Sequence, residues 1–232
     1  MRLHCNSLGL LVPKYLTLIR KATDGKVTLV YLIRHGETEW NRDDRLLGKT
    51  DLPLNDRGRR QAARLAQRLS NVPLTALYTS PLKRAVETAT AIASVHSLNV
   101  TVIESLREID YGEWEGMTLQ EAAERFPDLE TKRRTDPLRF QAPGGEAFED
   151  FIGRVLTTFE RIASAHFGQT IAVVAHQTVN RIVITFCLQA PWTLWRRWRQ
   201  DCGCINVIEV RPDGRWRIVL VNDTCHLNEE TP

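Results

Sequence analysis

Residues 27–35 read VTLVYLIRH: an unbroken run of apolar, β-branched and aromatic side chains, Val27–Ile33, followed at once by Arg34 and His35. A strand with one wet face alternates apolar and polar residues. This one does not alternate, so it predicts a strand covered on both faces, as in a parallel sheet with helices on each side. Working outward, Thr170–Ala175 (TIAVVA) repeats the pattern, and Leu74–Thr79 and Val100–Leu106 predict two more strands. Between them, Asn55 is placed to cap a helix running to Ser70, with Ala62, Leu65, Ala66 and Leu69 on one stripe. Ser80-Pro81 predicts an N-cap and first helical residue for a helix reaching Ala93. Phe148, Phe151, Ile152, Val155, Phe159 and Ile162 give a 3.6-residue period to a helix over 146–166, and a further helix is expected near Val179–Leu188. Residues 110–145, rich in Gly and Pro, predict a surface excursion holding a short helix at Leu119–Phe126. Cys204–Val210 and Trp216–Val221 predict a hairpin around Pro212-Asp213-Gly214. The alternation specifies an α/β fold, a three-layer α/β/α sandwich with a mostly parallel central sheet.

The chain has 232 residues, 43% of them hydrophobic and 25% charged, with a formal net charge of +3. That suits one core over residues 27–232, and the charge excess is too small to argue for nucleic acid or a membrane surface. No apolar run approaches the ~20 residues that cross a bilayer. Five cysteines at irregular spacing predict reduced thiols and a cytoplasmic protein, without a disulfide framework or a zinc site. Residues 1–26 are basic and stand apart. They read as a disordered extension or an early start codon, with an amphipathic targeting peptide as the alternative.

Reactive side chains gather just after four of the strands: Arg34 and His35, Ser80 and Arg84, Glu108, and His176. Parallel strands end along one edge, where open α/β sheets bind ligands. Two arginines, two histidines and a carboxylate suit a phosphate monoester. Guanidinium forks match phosphate oxygens, imidazole is a nucleophile when neutral, and a carboxylic acid can protonate a leaving oxygen. Taken singly, each histidine reads more readily as a structural residue and each arginine or glutamate as solvated surface, and Ser80 reads as a helix cap. Together they support an anion-binding α/β enzyme.

The segment Arg34–Asn41, RHGETEWN, resembles the RHGE[TS]xxN signature of the histidine phosphatase (phosphoglycerate mutase-like) superfamily. Gly48–Gly58 (GKTDLPLNDRG), Thr79–Arg84 (TSPLKR) with Thr88, Leu106–Gly116 (LREIDYGEWEG), Pro143–Glu146 and Val174–His176 match its other elements in order. The resemblance implies that His35 takes the phosphoryl group, that Arg34, Arg84 and His176 cradle its oxygens, and that Glu108 is the acid. It implies that Asn41 donates to phosphate and that Gly48 lies at the substrate mouth. The glycine after His35 is expected to let backbone approach the phosphate. Gln177 stands where the family often has glycine; its backbone N–H is retained and its side-chain amide is a candidate substrate contact. The family implication is a metal-independent enzyme with no cofactor.

The superfamily holds both phosphatases and mutases. Glu108-Ile109-Asp110-Tyr111-Gly112 resembles the α-ribazole phosphatase and phosphoserine phosphatase type more than the mutases, as does Asn222–Leu227. The reading is a phosphomonoester hydrolase acting through a phosphohistidine on a small phosphorylated metabolite. A cofactor-dependent phosphoglycerate mutase and a non-catalytic phosphate-binding module are the alternatives. Lys132, Arg133, Arg134 and Arg139 read as a solvated basic face or as attractors of a second anionic group. Trp192, Trp195 and Trp198 read as a helix face packed on the domain rather than a nucleic-acid platform. Substrate identity and oligomeric state are left open by the sequence.

Overall fold

β1 spans Thr28–Arg34, and all seven residues are buried in the computed structural model, which describes residues 27–228. The expectation for residues 1–26, and Cys5 with it, lies outside the described residues. After β1 come α1 (Glu39–Arg42), α2 (Asp56–Leu69), β2 (Ala76–Thr79), α3 (Lys83–Ser94) and β3 (Val100–Val102). The excursion holds α4 (Leu119–Arg125) and α5 (Pro127–Thr135), and α6 (Phe148–Ser164), β4 (Thr170–Ala175) and α7 (Gln177–Cys187) follow. β5 (Ile205–Val210) and β6 (Trp216–Asp223) complete the set.

The six strands form one sheet in the order β3-β2-β4-β1-β5-β6. The four that carry the chemistry run parallel, and the β5–β6 hairpin adds two antiparallel strands at the other edge. The uninterrupted apolar character of β1 has its cause here. Val30 and Leu32 pack with α6 and α7, while Tyr31 and Ile33 face α2 and α3. A third cluster, Trp114, Ala122, Phe140 and Ala142, ties the excursion down. No helix among the described residues is long and apolar enough to cross a membrane.

Four local expectations are corrected. β3 stops at Val102 and residues 104–106 form a 3₁₀ turn, because its neighbour ends: the Ile103 N–H bonds to Thr79, the last residue of β2. α3 starts at Lys83 with Leu82 in the cap position, so Ser80 does not cap it; its hydroxyl faces His176 instead. α5 occupies a stretch with no apolar stripe to announce it. Pro127 opens it, Asp128 and Glu130 lie in its first turn and Lys132–Arg134 in its last, which is the charge order the helix dipole favours. The tryptophan segment is a 3₁₀ helix, Trp192–Arg197, with only Trp195 fully inside.

Candidate active site

The sheet register places the two histidines side by side. Arg34 pairs with Ala175, so His35 and His176 each lie one residue beyond a matched pair. Their rings meet edge to face with centroids 5.1 Å apart. His35 Nδ1 lies 2.7 Å from the Gly36 carbonyl. A carbonyl only accepts, so Nδ1 carries the proton and Nε2 holds the free lone pair. Burial, then the Arg84 and Arg34 charges, holds the His35 pKa well below the usual histidine value. Burial first, then Arg84, His35 and Arg34, does the same at His176, whose Nε2 is 2.7 Å from Ser80 Oγ. Both imidazoles are therefore neutral at physiological pH.

This burial has a stability consequence. At His226 burial lowers the pKa to about 4; its Nε2 lies 3.0 Å from the Gly203 carbonyl. A histidine depressed in the folded state binds its proton in the unfolded chain first, so acid favours unfolding. Their contribution is full above about pH 6.5 and is lost as pH falls, for His226 down to about 4. Glu108, raised on folding, acts in the opposite sense. We expect the urea midpoint to drop between pH 7 and 5, and His226→Gln to flatten that slope; an unchanged slope would remove His226 from the account.

Arg84 comes from the first turn of α3 and is fully buried. Its Nη1 donates to the Thr50 carbonyl at 2.8 Å and its Nη2 to the Gly48 carbonyl at 2.7 Å. Burial pulls its pKa down to about 10, which leaves it charged. Arg34 Nη1 donates to the Gln200 carbonyl at 2.5 Å. The Nε of each arginine and Nδ1 of His176 are buried with no hydrogen-bond partner among the described residues. Three orphaned groups around one imidazole suit an anion that accepts from several sides.

Gly48 does not line the cavity; it acts through Arg84. Glu115 Oε1 accepts from the N–H groups of Lys49 and Tyr111, Glu115 Oε2 from that of Thr50, and so the loop that presents both carbonyls is held. A β-carbon on Gly48 would overlap Glu115 Oε1 and the Ile109 carbonyl. Gly48→Ala is expected to cost about 1–3 kcal/mol and to lower kcat/KM by loosening Arg84. Urea titration and steady-state rates check it, and wild-type values in both would refute this placement. Gly36 also departs from expectation: its close neighbour is Gly58 in α2, whose carbonyl would lie 2.5 Å from an added β-carbon.

Asn41 lies in the capping box of α1. Its Oδ1 accepts from the Thr38 N–H and hydroxyl, which turns its amide NH₂ away from the cap; the residue lines the cavity. Glu108 arrives by a loop rather than a strand. Its Oε1 accepts from the Ile109 N–H and its Oε2 from the Thr178 N–H in the first turn of α7, each at 2.9 Å. Burial raises its pKa, opposed by those two bonds and by Arg84. Gln177 opens α7, and its side chain reaches the Gln200 carbonyl at 3.4 Å.

Arg34, His35, Asn41, Glu108 and Gln177 share one cavity of about 1610 Å³. Its described lining has eleven arginines against four carboxylates. Arg133 and Arg134 belong to it, while Lys132 and Arg139 do not. Sequence reasoning missed Arg181 and Gln200, which line the same cavity, and met Arg196 only as an arginine interleaved with the tryptophans. Gln200 is buried, with its amide fixed by Asn180 and Asn206. Trp198 bonds Thr185 through its indole N–H. Among the described residues no group of three or more His, Cys, Asp or Glu side chains is arranged to hold a metal ion.

The site thus holds a neutral histidine beside two buried guanidiniums, with a buried carboxyl in the same cavity. The model of the histidine phosphatase superfamily (branch 1) matches residues 30–224, and the chain belongs to that superfamily. It is 35% identical to phosphoserine phosphatase 1 of Hydrogenobacter thermophilus over 85% of this chain and 93% of that one. It is 32% identical to a metal-independent phosphoserine phosphatase of Arabidopsis thaliana, over 88% and 85%. The structure of phosphoserine phosphatase from Entamoeba histolytica in complex with 3-phosphoglyceric acid aligns with a TM-score of 0.78 and 28% identity, covering 87% of this chain and all of that one.

Proposed function

We propose that this protein is a metal-independent phosphomonoesterase that hydrolyses a small phosphorylated metabolite through a phosphohistidine at His35. The observation that carries the reading is the locked tautomer of His35, with Nε2 unprotonated beside Arg34 and Arg84. In the first half-reaction the Nε2 lone pair forms the N–P bond as the P–O bond of the ester breaks. Glu108 gives its proton to the departing oxygen. Arg34, Arg84, Asn41 and the second histidine hold the three equatorial oxygens as their charge grows. In the second half, water attacks phosphorus, Glu108 takes its proton, the N–P bond breaks and phosphate leaves. Cys187, Cys202 and Cys204 are thiols rather than disulfides, which accords with a reducing cytoplasm.

The test is phosphate release from a panel of monoesters in the presence of chelator, beside a mutase assay with bisphosphoglycerate. Release is expected to continue at the same rate without metal, because guanidiniums supply the charge. Activity lost with chelator and restored by magnesium would sink the mechanism. Mutase turnover well above phosphate release would replace hydrolysis by transfer.

A further inference from the structure

The cavity carries two guanidiniums that phosphoryl transfer does not use. Arg181, from the second turn of α7, donates through Nε to the Trp198 carbonyl at 2.9 Å, and its terminal nitrogens bond no described residue. Arg196, from the 3₁₀ helix, makes no hydrogen bond or ion pair with any described residue. Both line the cavity and both are half-buried. They brace one buried indole: each Cζ stands 6.0 Å from the Trp195 ring centroid, and Trp195 itself rests on Phe148. Their positions are therefore fixed by packing.

The charges around this pair do not balance. Glu130, the nearest acid to Arg196 on α5, is already engaged by Arg133 through two bonds of 2.6 and 2.8 Å. Glu108 holds two backbone N–H groups, and burial raises its pKa toward the neutral form. Burial first, then Arg34 and Arg196, opposes the charge of Arg181, with Tyr111 and Glu108 favouring it; burial, then Arg133 and Arg134, opposes that of Arg196, with Glu130 and Tyr111 favouring it. Partly desolvated guanidiniums with no ion-pair partner of their own are costly, and an anion placed between them relieves that cost. With Nε on Trp198, Arg181 has its Nη pair left at the outer end, a parallel two-donor fork that matches a carboxylate.

We propose that Arg181 and Arg196 form a second anion subsite that selects phosphate monoesters carrying a carboxylate at the other end. The inference rests on the phosphoryl centre being at His35, as proposed above. Arg133, tied to Glu130, and Tyr111, whose hydroxyl lies 3.2 Å from Thr178 Oγ1, line the same cavity as the pair and His35.

A matched pair of probes tests it: 3-phosphoglycerate, and glycerol 3-phosphate, in which a hydroxymethyl group replaces the carboxylate. Wild type is expected to prefer the acid at least about tenfold in kcat/KM, the worth of one charge-assisted bond. Arg181→Met and Arg196→Met should each shrink that preference about tenfold. The ratio of two substrates is indifferent to the fraction of enzyme that folds. A wild type that treats the probes alike, or variants that keep the preference, would overturn the subsite. Calorimetric Kd values of both probes on a His35→Ala background separate the two proposals. If neither ester is hydrolysed by wild type but the acid binds tighter and loses that advantage in Arg181→Met, the subsite stands and the hydrolytic mechanism falls. Equal Kd values on that background overturn the subsite, whatever the catalytic result.

Discussion

His35→Ala should remove phosphate release from every substrate, with kcat/KM falling by roughly 10⁴-fold or more, the scale seen when a covalent nucleophile is deleted. The size follows from the site. The other described imidazole of the site does not offer a free lone pair: His176 Nε2 is engaged with Ser80, and its Nδ1 is buried. The side chain of His35 hydrogen-bonds only its own neighbour, Gly36, so the substitution breaks no hydrogen bond to another element and loses only the ring contact with His176, and the fold should survive. Far-ultraviolet circular dichroism checks that point. A rapid quench of wild type should trap an acid-labile phosphoprotein that the variant lacks. Retention of more than about one hundredth of the wild-type rate would mean that some other group accepts the phosphoryl.

Glu108→Gln should lower kcat by about 10²–10⁴-fold on alkyl phosphates, and far less on p-nitrophenyl phosphate, whose phenolate leaves without a proton. The reason is the order of two titrations. In water a glutamic acid near 4.5 loses its proton before a histidine near 6.5 does. A protonated acid beside a neutral nucleophile is then a minor state at every pH. Burial moves Glu108 up and His35 down, toward the reverse order. The wild-type rate should fall on the acid side as His35 protonates and on the basic side as Glu108 ionises. The glutamine variant should keep the acid limb and lose the basic one. A variant with both limbs intact would place the leaving-group proton elsewhere.

The centre of this fold is legible in its sequence because β1 and β4 are covered on both faces, which leaves a pattern no surface strand shares. The residues at their ends, Arg34, His35 and His176, inherit that clarity. Glu108 shares the cavity with His35 but reaches it by a route other than the expected one: its strand ends six residues earlier, where β2 has no more backbone to pair. The anchors of the two arginines were invisible. They are the carbonyls of Gly48, Thr50 and Gln200, and a main-chain oxygen has no sequence signature. Arg181 was passed over because an arginine on a helix reads as its wet face. Only the position of Trp195 and Trp198 beneath it shows that face turned toward a cavity. α5 escaped because it is held by Trp114 and Phe140 from outside its own span, through Arg133 and Leu129.

β1 lies in the middle of the sheet, yet both its neighbours are supplied from the far end of the chain. The Asn206 amide reaches the Leu32 carbonyl across 174 residues, and Arg34 reaches Gln200 across 166. During synthesis β1 therefore emerges long before anything can pair with it. Its unbroken apolar run is exposed for that interval, a period in which such a segment can associate with other chains. Closing loops of this length before any contact rewards them makes for slow folding. It also ties the site to near-completion of the chain: a nascent chain that stops short of residue 200 holds His35 in sequence but has no Gln200 carbonyl to aim Arg34.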